Sequence, residues 1–261
     1  MGGARWREIG GTVDVVPAVP TLLPEQPLPL IALLLGLAWF SVSCLVQWGA
    51  LRAARLARRR APACFRAEGP GPGERVHLAF LGDLQRGVLD VPRALAGALK
   101  DSGAEMLISS GDFVSHGEGP YYGILLSAFE RAGIRTPTRV VPGNHDLWPR
   151  RCKDDRIGGA AFTRAFGPRH WDLRAGPVLL VGLDNGAHWL MEEQLPWLER
   201  TLDAHADIPW ICVCHRPPYL VEEPGQPSDP DLVELAALLE RRPPLAVIAG
   251  HMHTYRDEVI R

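Results

Sequence analysis

The sequence predicts a layered α/β domain preceded by one transmembrane helix, and three observations carry that reading. Residues 28–51 contain no charged side chain. From residue 76 onward, short runs rich in Val, Ile and Leu alternate with stretches of helical period, the signature of a layered domain with a largely parallel core sheet. Several of those runs end in Gly followed by Asp, Asn or His, at the carboxyl edge of the strands, where such sheets bind ligands.

The 261 residues are 46% hydrophobic, ample for a core. The net charge of −2 hides an asymmetry: residues 1–66 carry eight Arg against three acidic residues, and residues 67–261 carry 20 basic residues against 27 acidic ones. An acidic domain argues against nucleic acid as a partner. The five cysteines, at 44, 64, 152, 212 and 214, fit no disulfide or metal-ribbon pattern, and their odd number favours reduced thiols.

The apolar run organises the N-terminal part. At about 1.5 Å rise its 24 residues would reach ~36 Å, against a hydrocarbon core of ~30 Å. Residues 28–51 are therefore expected to span a membrane, after a tail over residues 1–27. The basic cluster Arg52, Arg55, Arg58, Arg59 and Arg60 follows the run, whereas a cleaved signal peptide carries its positive charge first. By the positive-inside rule the cluster puts the rest of a single-pass chain on the cytoplasmic side. Residues 52–73, basic and then rich in Pro, Gly and Ala, read as a juxtamembrane segment and linker, with a folded domain over residues 74–261.

Within that domain the elements alternate in order. A strand over residues 76–81 precedes a helix over 91–102, and a strand over 106–109 precedes a helix over 121–132. A strand at 139–141 leads to a short helix at 159–166. A strand at 178–183 leads to a helix at 190–204, whose Leu195, Leu198 and Leu202 share one face. A strand at 210–214, a helix at 230–240 and a strand at 245–249 follow. Residues 257–261 could add a final strand.

The chemistry lies at five strand ends, which deliver Gly82-Asp83-Leu84-Gln85, Ser110-Gly111-Asp112, Gly143-Asn144-His145-Asp146, His215 and Gly250-His251-Met252-His253. Two Asp, one Asn, one Gln and three His among them supply seven donors. That is too many for one tetrahedral zinc and suits two cations if one carboxylate bridges them. Two such cations acidify a shared water and stabilise charge on a phosphoryl oxygen. The glycines let the backbone turn sharply and leave room for a substrate.

The order Asp83-x-Gln85, Gly111-Asp112, Gly143-Asn144-His145-Asp146, His215 and Gly250-His251-x-His253 resembles the calcineurin-like metallophosphoesterase superfamily over residues 76–253. The resemblance implies a calcineurin-like metallophosphoesterase fold, a layered β-sandwich core flanked by helices. It implies that Asp83, Gln85 and His253 hold one metal and that Asn144, His215 and His251 hold the other, with Asp112 bridging. It also implies a catalytic role for His145, stabilising the phosphoryl group or protonating the leaving oxygen, and for Asp146, orienting His145 by a hydrogen bond.

Two positions depart from the family pattern. Gln85 stands where His is usual; its amide oxygen is a harder donor than imidazole and favours manganese or magnesium over zinc, with iron also possible. Gln at this place resembles a manganese-dependent branch that hydrolyses nucleotide diphosphates such as ADP-ribose. Ser115 stands where many members have Asp. A likeness to purple acid phosphatases around His215 fails for want of a tyrosine near Asp112, where Phe113 and Ser115 lie. His116, His170, His188 and His205 read as loop or surface residues, Arg86 and Arg216 as phosphate contacts or ion pairs, and Cys212 and Cys214 as core.

The expectation is a membrane-anchored, dinuclear metal-dependent phosphoesterase that hydrolyses P–O bonds by metal-bound hydroxide. Its cofactors would be two divalent metal ions, Mn foremost and Fe, Mg or Zn as alternatives. Its substrate would be a phosphate ester or diphosphate of a small molecule or lipid. A pyrophosphatase of nucleotide-linked or lipid-linked diphosphates, and a non-catalytic scaffold keeping the fold, are the alternatives. Loops 147–159 and 220–229 would set substrate choice.

Overall fold

The structure is a computed structural model that describes residues 37–46, 48–49, 61–88, 90–148, 155–187, 190, 193–218 and 230–254. Strands β1 (Leu78–Leu81), β2 (Met106–Ser109) and β3 (Thr138–Val140) pair in parallel, in that order. Strands β4 (Trp171–Ala175), β5 (Val178–Gly182), β6 (Trp210–Val213) and β7 (Ala246–Ile248) form a second sheet, antiparallel between β4 and β5 and parallel thereafter. From residue 61 onward the described helices are α1 (Val91–Ser102), α2 (Gly119–Arg131), α3 (Asn144–Leu147), α4 (Asp155–Phe166), α5 (Gln194–Ala204) and α6 (Pro230–Arg241).

Local chemistry accounts for these elements. Strands β2 and β5 are buried along their whole length, as befits apolar strands covered on both faces. Helix α1 has Pro92 in its first turn and stops at Gly103, whose left-handed backbone (φ 65°) lets its N–H reach the carbonyls of Leu99 and Lys100.

Three apolar layers result. Leu107 and Val140 pack with Leu99, Leu125, Phe129 and Phe162 from α1, α2 and α4. Leu179, Val181 and Cys212 pack with Leu198, Leu202, Leu235 and Leu239 from α5 and α6. Between the sheets, Met106, Ile108 and Val141 meet Trp171, Val178, Leu180 and Val213. The order is helix, sheet, sheet, helix. Leu81, Ser109 and Val140 end one sheet in register, and Gly182, Val213 and Ile248 end the other, so the loops that follow leave each sheet side by side.

The membrane helix expected over residues 28–51 is overturned, and with it the single-pass anchoring and the cytoplasmic placement inferred from it. Among the described residues no helix is long and apolar enough to cross a membrane. Residues 37–46 and 48–49 are helical. Apolar composition does not by itself make a membrane-crossing helix, and the run includes Pro29 and Gly36, residues of poor helix propensity. Residues 28–36, 47, 50 and 51 of the run lie outside the described residues.

Other expectations shift as well. The segment read as linker packs on the domain: Ala63–Phe65 form a 3₁₀ turn, Cys64 and Phe65 are buried, and the Phe65 ring lies 4.9–6.3 Å from those of Phe166, Phe129 and Phe113. Strand β4 was not among the expected strands although Trp171-Asp-Leu-Arg-Ala175 alternates apolar and charged residues; it is buried only at its ends. The proposed strand at 257–261 lies outside the described residues, as does most of loops 147–159 and 220–229.

Candidate metal centre

The loops that leave the strands are tied to one another before any ligand is considered. Asp83 N–H donates to Gly111 O and Gln85 N–H to Asp112 O, at 3.0 and 2.9 Å. Gly250 N–H donates to His215 O at 3.0 Å. Among the described residues, five other than glycine have left-handed backbones: Asp83 (φ 54°), Gln85 (35°), Asp112 (56°), His251 (72°) and His253 (50°). Each is one of the seven donors. This conformation costs an L-residue roughly 1–2 kcal/mol, and its concentration here marks a functional site. Gly143 is required by close approach, since a Cβ there would collide with the carboxylate and backbone N of Asp112.

The seven donors expected from the sequence come together. Ligating atoms of Asp83, Asp112 and His215 lie within 4.8 Å of one another. Gln85 Nε2 donates to Asp112 Oδ2 at 2.9 Å and lies 3.3 Å from His253 Nε2. His253 Nε2 is 3.5 Å from Asp83 Oδ1. Asn144 Oδ1 is 2.9 Å from His215 Nε2 and 3.1 Å from His251 Nδ1. His215 Nε2 stands 3.6 Å from Asp112 Oδ2. Asp112 therefore sits between a set made of Asp83, Gln85 and His253 and a set made of Asn144, His215 and His251.

Electrostatics and tautomers favour a cation here. His215 Nδ1 is 3.0 Å from the Ser110 carbonyl, which can only accept, so Nδ1 carries the proton and Nε2 turns its lone pair inward. That lone pair faces Asn144 Oδ1, another acceptor. Burial lowers the His215 pKa to about 4, which keeps the ring in the neutral form that ligates metals. Burial also raises the pKa of Asp83, with His215 opposing and Asp112 reinforcing the shift. Converging acceptors and two neighbouring carboxylates fit two divalent ions. Gln85 presents its amide nitrogen to Asp112, and half a turn of the amide would present its oxygen instead.

His145 and Asp146 divide differently from expectation. His145 lends its backbone N–H to Asp112 Oδ1 at 2.9 Å, and its ring Nδ1 donates to the Ser115 carbonyl at 3.0 Å. The expected hydrogen bond from Asp146 to the His145 ring is not formed. The Asp146 side chain is fully buried and accepts from the backbone N–H groups of Phe113, Val114 and Gly143. Tyr122 Oη donates to the Asp146 carbonyl at 2.6 Å. Asp146 thus stitches the loop after β2 to α3, a task its place two residues after Asn144 in sequence could not reveal. Burial, reinforced by the Asp112 charge, pushes its pKa up to about 8 against those three donors.

Strand β5, outside the five strand ends expected to carry the chemistry, is followed by Leu183-Asp184-Asn185-Gly186. Asp184 is buried and paired with Arg169. Asn185, fully buried, accepts from the backbone N–H groups of His215 and Arg216 and donates to Arg216 O. The Asp-Asn-Gly after a buried apolar strand was the available signal. The remaining histidines have other settings: His116 lies 5.1 Å from the Tyr121 ring, His170 lies 4.8 Å from the Trp197 ring, and His205 Nδ1 bonds Thr201 O. His188 is outside the described residues. Arg216, beside His215, is buried, as are Cys212 and Cys214.

Residues 76–255 match the family described as calcineurin-like phosphoesterase. Over 183 residues, 66% of this chain and 63% of the relative, the sequence is 27% identical to glycerophosphodiester phosphodiesterase GpdQ of Enterobacter lignolyticus (strain SCF1). The chain thus spans less than two thirds of that relative's length. The fold is similar to that of a dimetal phosphatase from Danio rerio, with a TM-score of 0.52 and 13% identity over 67% of this chain and 81% of that one. The family match takes in every strand and all seven clustered donors, and the chain belongs to the calcineurin-like phosphoesterase family.

Proposed function

We propose that this metal-dependent phosphoric ester hydrolase cleaves phosphodiesters or phosphomonoesters of small molecules at a two-metal centre. In this reading Asp83, Gln85 and His253 would hold one ion and Asn144, His215 and His251 the other, with Asp112 shared between the two sets. Carboxylate and amide oxygens mixed with imidazole suit manganese. Two divalent ions so bound would acidify a shared water and offset charge on a phosphoryl oxygen.

The observation that carries the proposal is the convergence of acceptors on one point, with His215 Nε2 and Asn144 Oδ1 at 2.9 Å and the Asp112 carboxylate alongside. The protein residues then have separable tasks. The Ser110 carbonyl fixes the His215 tautomer. The Ser115 carbonyl fixes that of His145, leaving Nε2 as the atom that exchanges a proton with the leaving oxygen. Asp146 holds the two loops at the spacing this requires. The curated relative's name, a glycerophosphodiester phosphodiesterase, favours diesters as substrates. A second reading, hydrolysis of nucleotide-linked diphosphates, is favoured by Gln85 at a position where His is usual.

The test is a hydrolysis panel on protein stripped of metal and reloaded with Mn²⁺: bis(p-nitrophenyl) phosphate, p-nitrophenyl phosphate and ADP-ribose. Metal-dependent turnover of the diester above the others is expected. Preference for ADP-ribose would select the second reading. Absence of turnover of all three, with two ions bound, would refute catalysis.

A further inference from the structure

The bracket that Asn185 forms with the His215 loop has no role in the donor set just described, yet Asn185 and its neighbour Gly186 lie against the loops that carry His215 and Asn144. We propose that Asn185 is a positioning residue for the Asn144–His215–His251 metal site, an inference that rests on the two-metal reading above. Its side chain meets the backbone around His215 three times: Oδ1 accepts from His215 N–H at 2.9 Å and Arg216 N–H at 3.0 Å, and Nδ2 donates to Arg216 O at 2.8 Å. The next residue, Gly186, lies flat against the other ligand loop, where an added Cβ would stand 2.7 Å from Gly143 C and Pro142 O. Asn185-Gly186 thus fixes the His215 loop on one side and the Gly143-Asn144 turn on the other. The 2.9 Å separation of His215 Nε2 and Asn144 Oδ1 depends on both contacts.

Asn is suited to this in a way its relatives are not. Two N–H groups and one carbonyl must be met from one short side chain, which takes an acceptor and a donor on one planar group. Asp would face the Arg216 carbonyl with a second acceptor, and Ala would leave all three backbone groups without Asn185's atoms. Groups that orient metal ligands from behind typically change metal affinity about 10- to 100-fold when removed.

Neighbouring Gln194 provides the control. It is fully buried, accepts from Asp184 N–H and donates to Asp184 O, each at 2.8 Å. It therefore braces the same loop one residue earlier, through Asp184 and not through the His215 or Arg216 backbone.

The experiment is equilibrium binding of Mn²⁺ alone to wild type, Asn185→Ala, Asn185→Asp and Gln194→Ala, with folding checked by circular dichroism. Wild type should bind two ions. Asn185→Ala should weaken one of them about 10- to 100-fold and leave the other unchanged, and Asn185→Asp should do so more mildly. The ion retained should be the one lost on adding Asp83→Ala. Gln194→Ala should keep both affinities even if its melting temperature falls. Unchanged binding in folded Asn185→Asp, or equal weakening in the Asn185 and Gln194 variants, would overturn the inference. Failure of wild type to bind two ions would refute the two-metal reading itself.

Discussion

His215 Nε2 and Asn144 Oδ1 face each other at 2.9 Å, although the Ser110 carbonyl commits the His215 proton to the opposite ring nitrogen. Two acceptors held at hydrogen-bond distance are a repulsive pair that a cation between or beside them converts into ligands. Metal should therefore stabilise the fold as well as activate it. Protein stripped with a chelator is expected to gain about 2.7 kcal/mol when Mn²⁺ reaches a hundred times its dissociation constant, read as a concentration-dependent rise in melting temperature. An unmoved melting temperature at saturating Mn²⁺ would argue against a preformed site.

The left-handed residues give a second expectation. His253 is largely exposed and carries φ 50°, so its side chain adds little packing to offset the backbone cost. In metal-free protein His253→Gly should be more stable than His253→Ala by about 1 kcal/mol, while both lose the ion shared with Asp83 and Gln85. Denaturant unfolding decides this, and an Ala variant more stable than the Gly variant would contradict it.

His145 is expected to serve the reaction and not the ions. His145→Ala should keep both Mn²⁺ ions yet lower kcat by about 10²- to 10⁴-fold for a diester with an alkyl leaving group, whose oxygen needs a proton. The loss should be smaller for p-nitrophenyl esters, whose leaving oxygen needs none. Loss of an ion in His145→Ala would move this residue into the ligand set.

The buried carboxylate of Asp146 links stability to pH. Its pKa in the fold, raised to about 8, lies above its ordinary value of 3.8. The protonated form is thus favoured by folding, and the associated stability is full below pH 4 and lost as pH rises through about 8. His215, lowered to about 4, acts oppositely, but only below its ordinary value. Between pH 7 and 8 Asp146 is left as the moving group of the two. Metal-free protein should lose on the order of 1 kcal/mol across that interval, and the loss should shrink when divalent cations offset the Asp112 charge. Stability that rises over the interval in chelator would contradict the assignment.

The sequence carried much of this because its chemistry sits where the local pattern is sharpest. Runs such as Met106–Ser109 are short, apolar and closed by Ser-Gly or Pro-Gly, so strand ends and the donors beyond them could be read together. What stayed hidden depends on contacts remote in sequence. Asp146 looked like a partner for the adjacent His145, but its hydrogen bonds reach back to Phe113 and Val114, over thirty residues away. Asn185 offered only an Asp-Asn-Gly turn until the His215 backbone was laid against it. Strand β4 does alternate, with Trp171, Leu173 and Ala175 apolar and Asp172 and Arg174 charged, but over five residues only, a short run that stands out less than the continuous apolar strands. The apolar stretch over residues 28–51 misled for a different reason, since hydropathy counts side chains and does not by itself make a membrane-crossing helix.

Asp112 is expected to join two metal sites into one catalytic centre. Counting bound Mn²⁺ in Asp112→Ala, alongside diester hydrolysis on the same sample, tests it most directly. Both ions and all metal-dependent turnover should be lost while the fold persists. Retention of two ions, or of wild-type turnover, would contradict it.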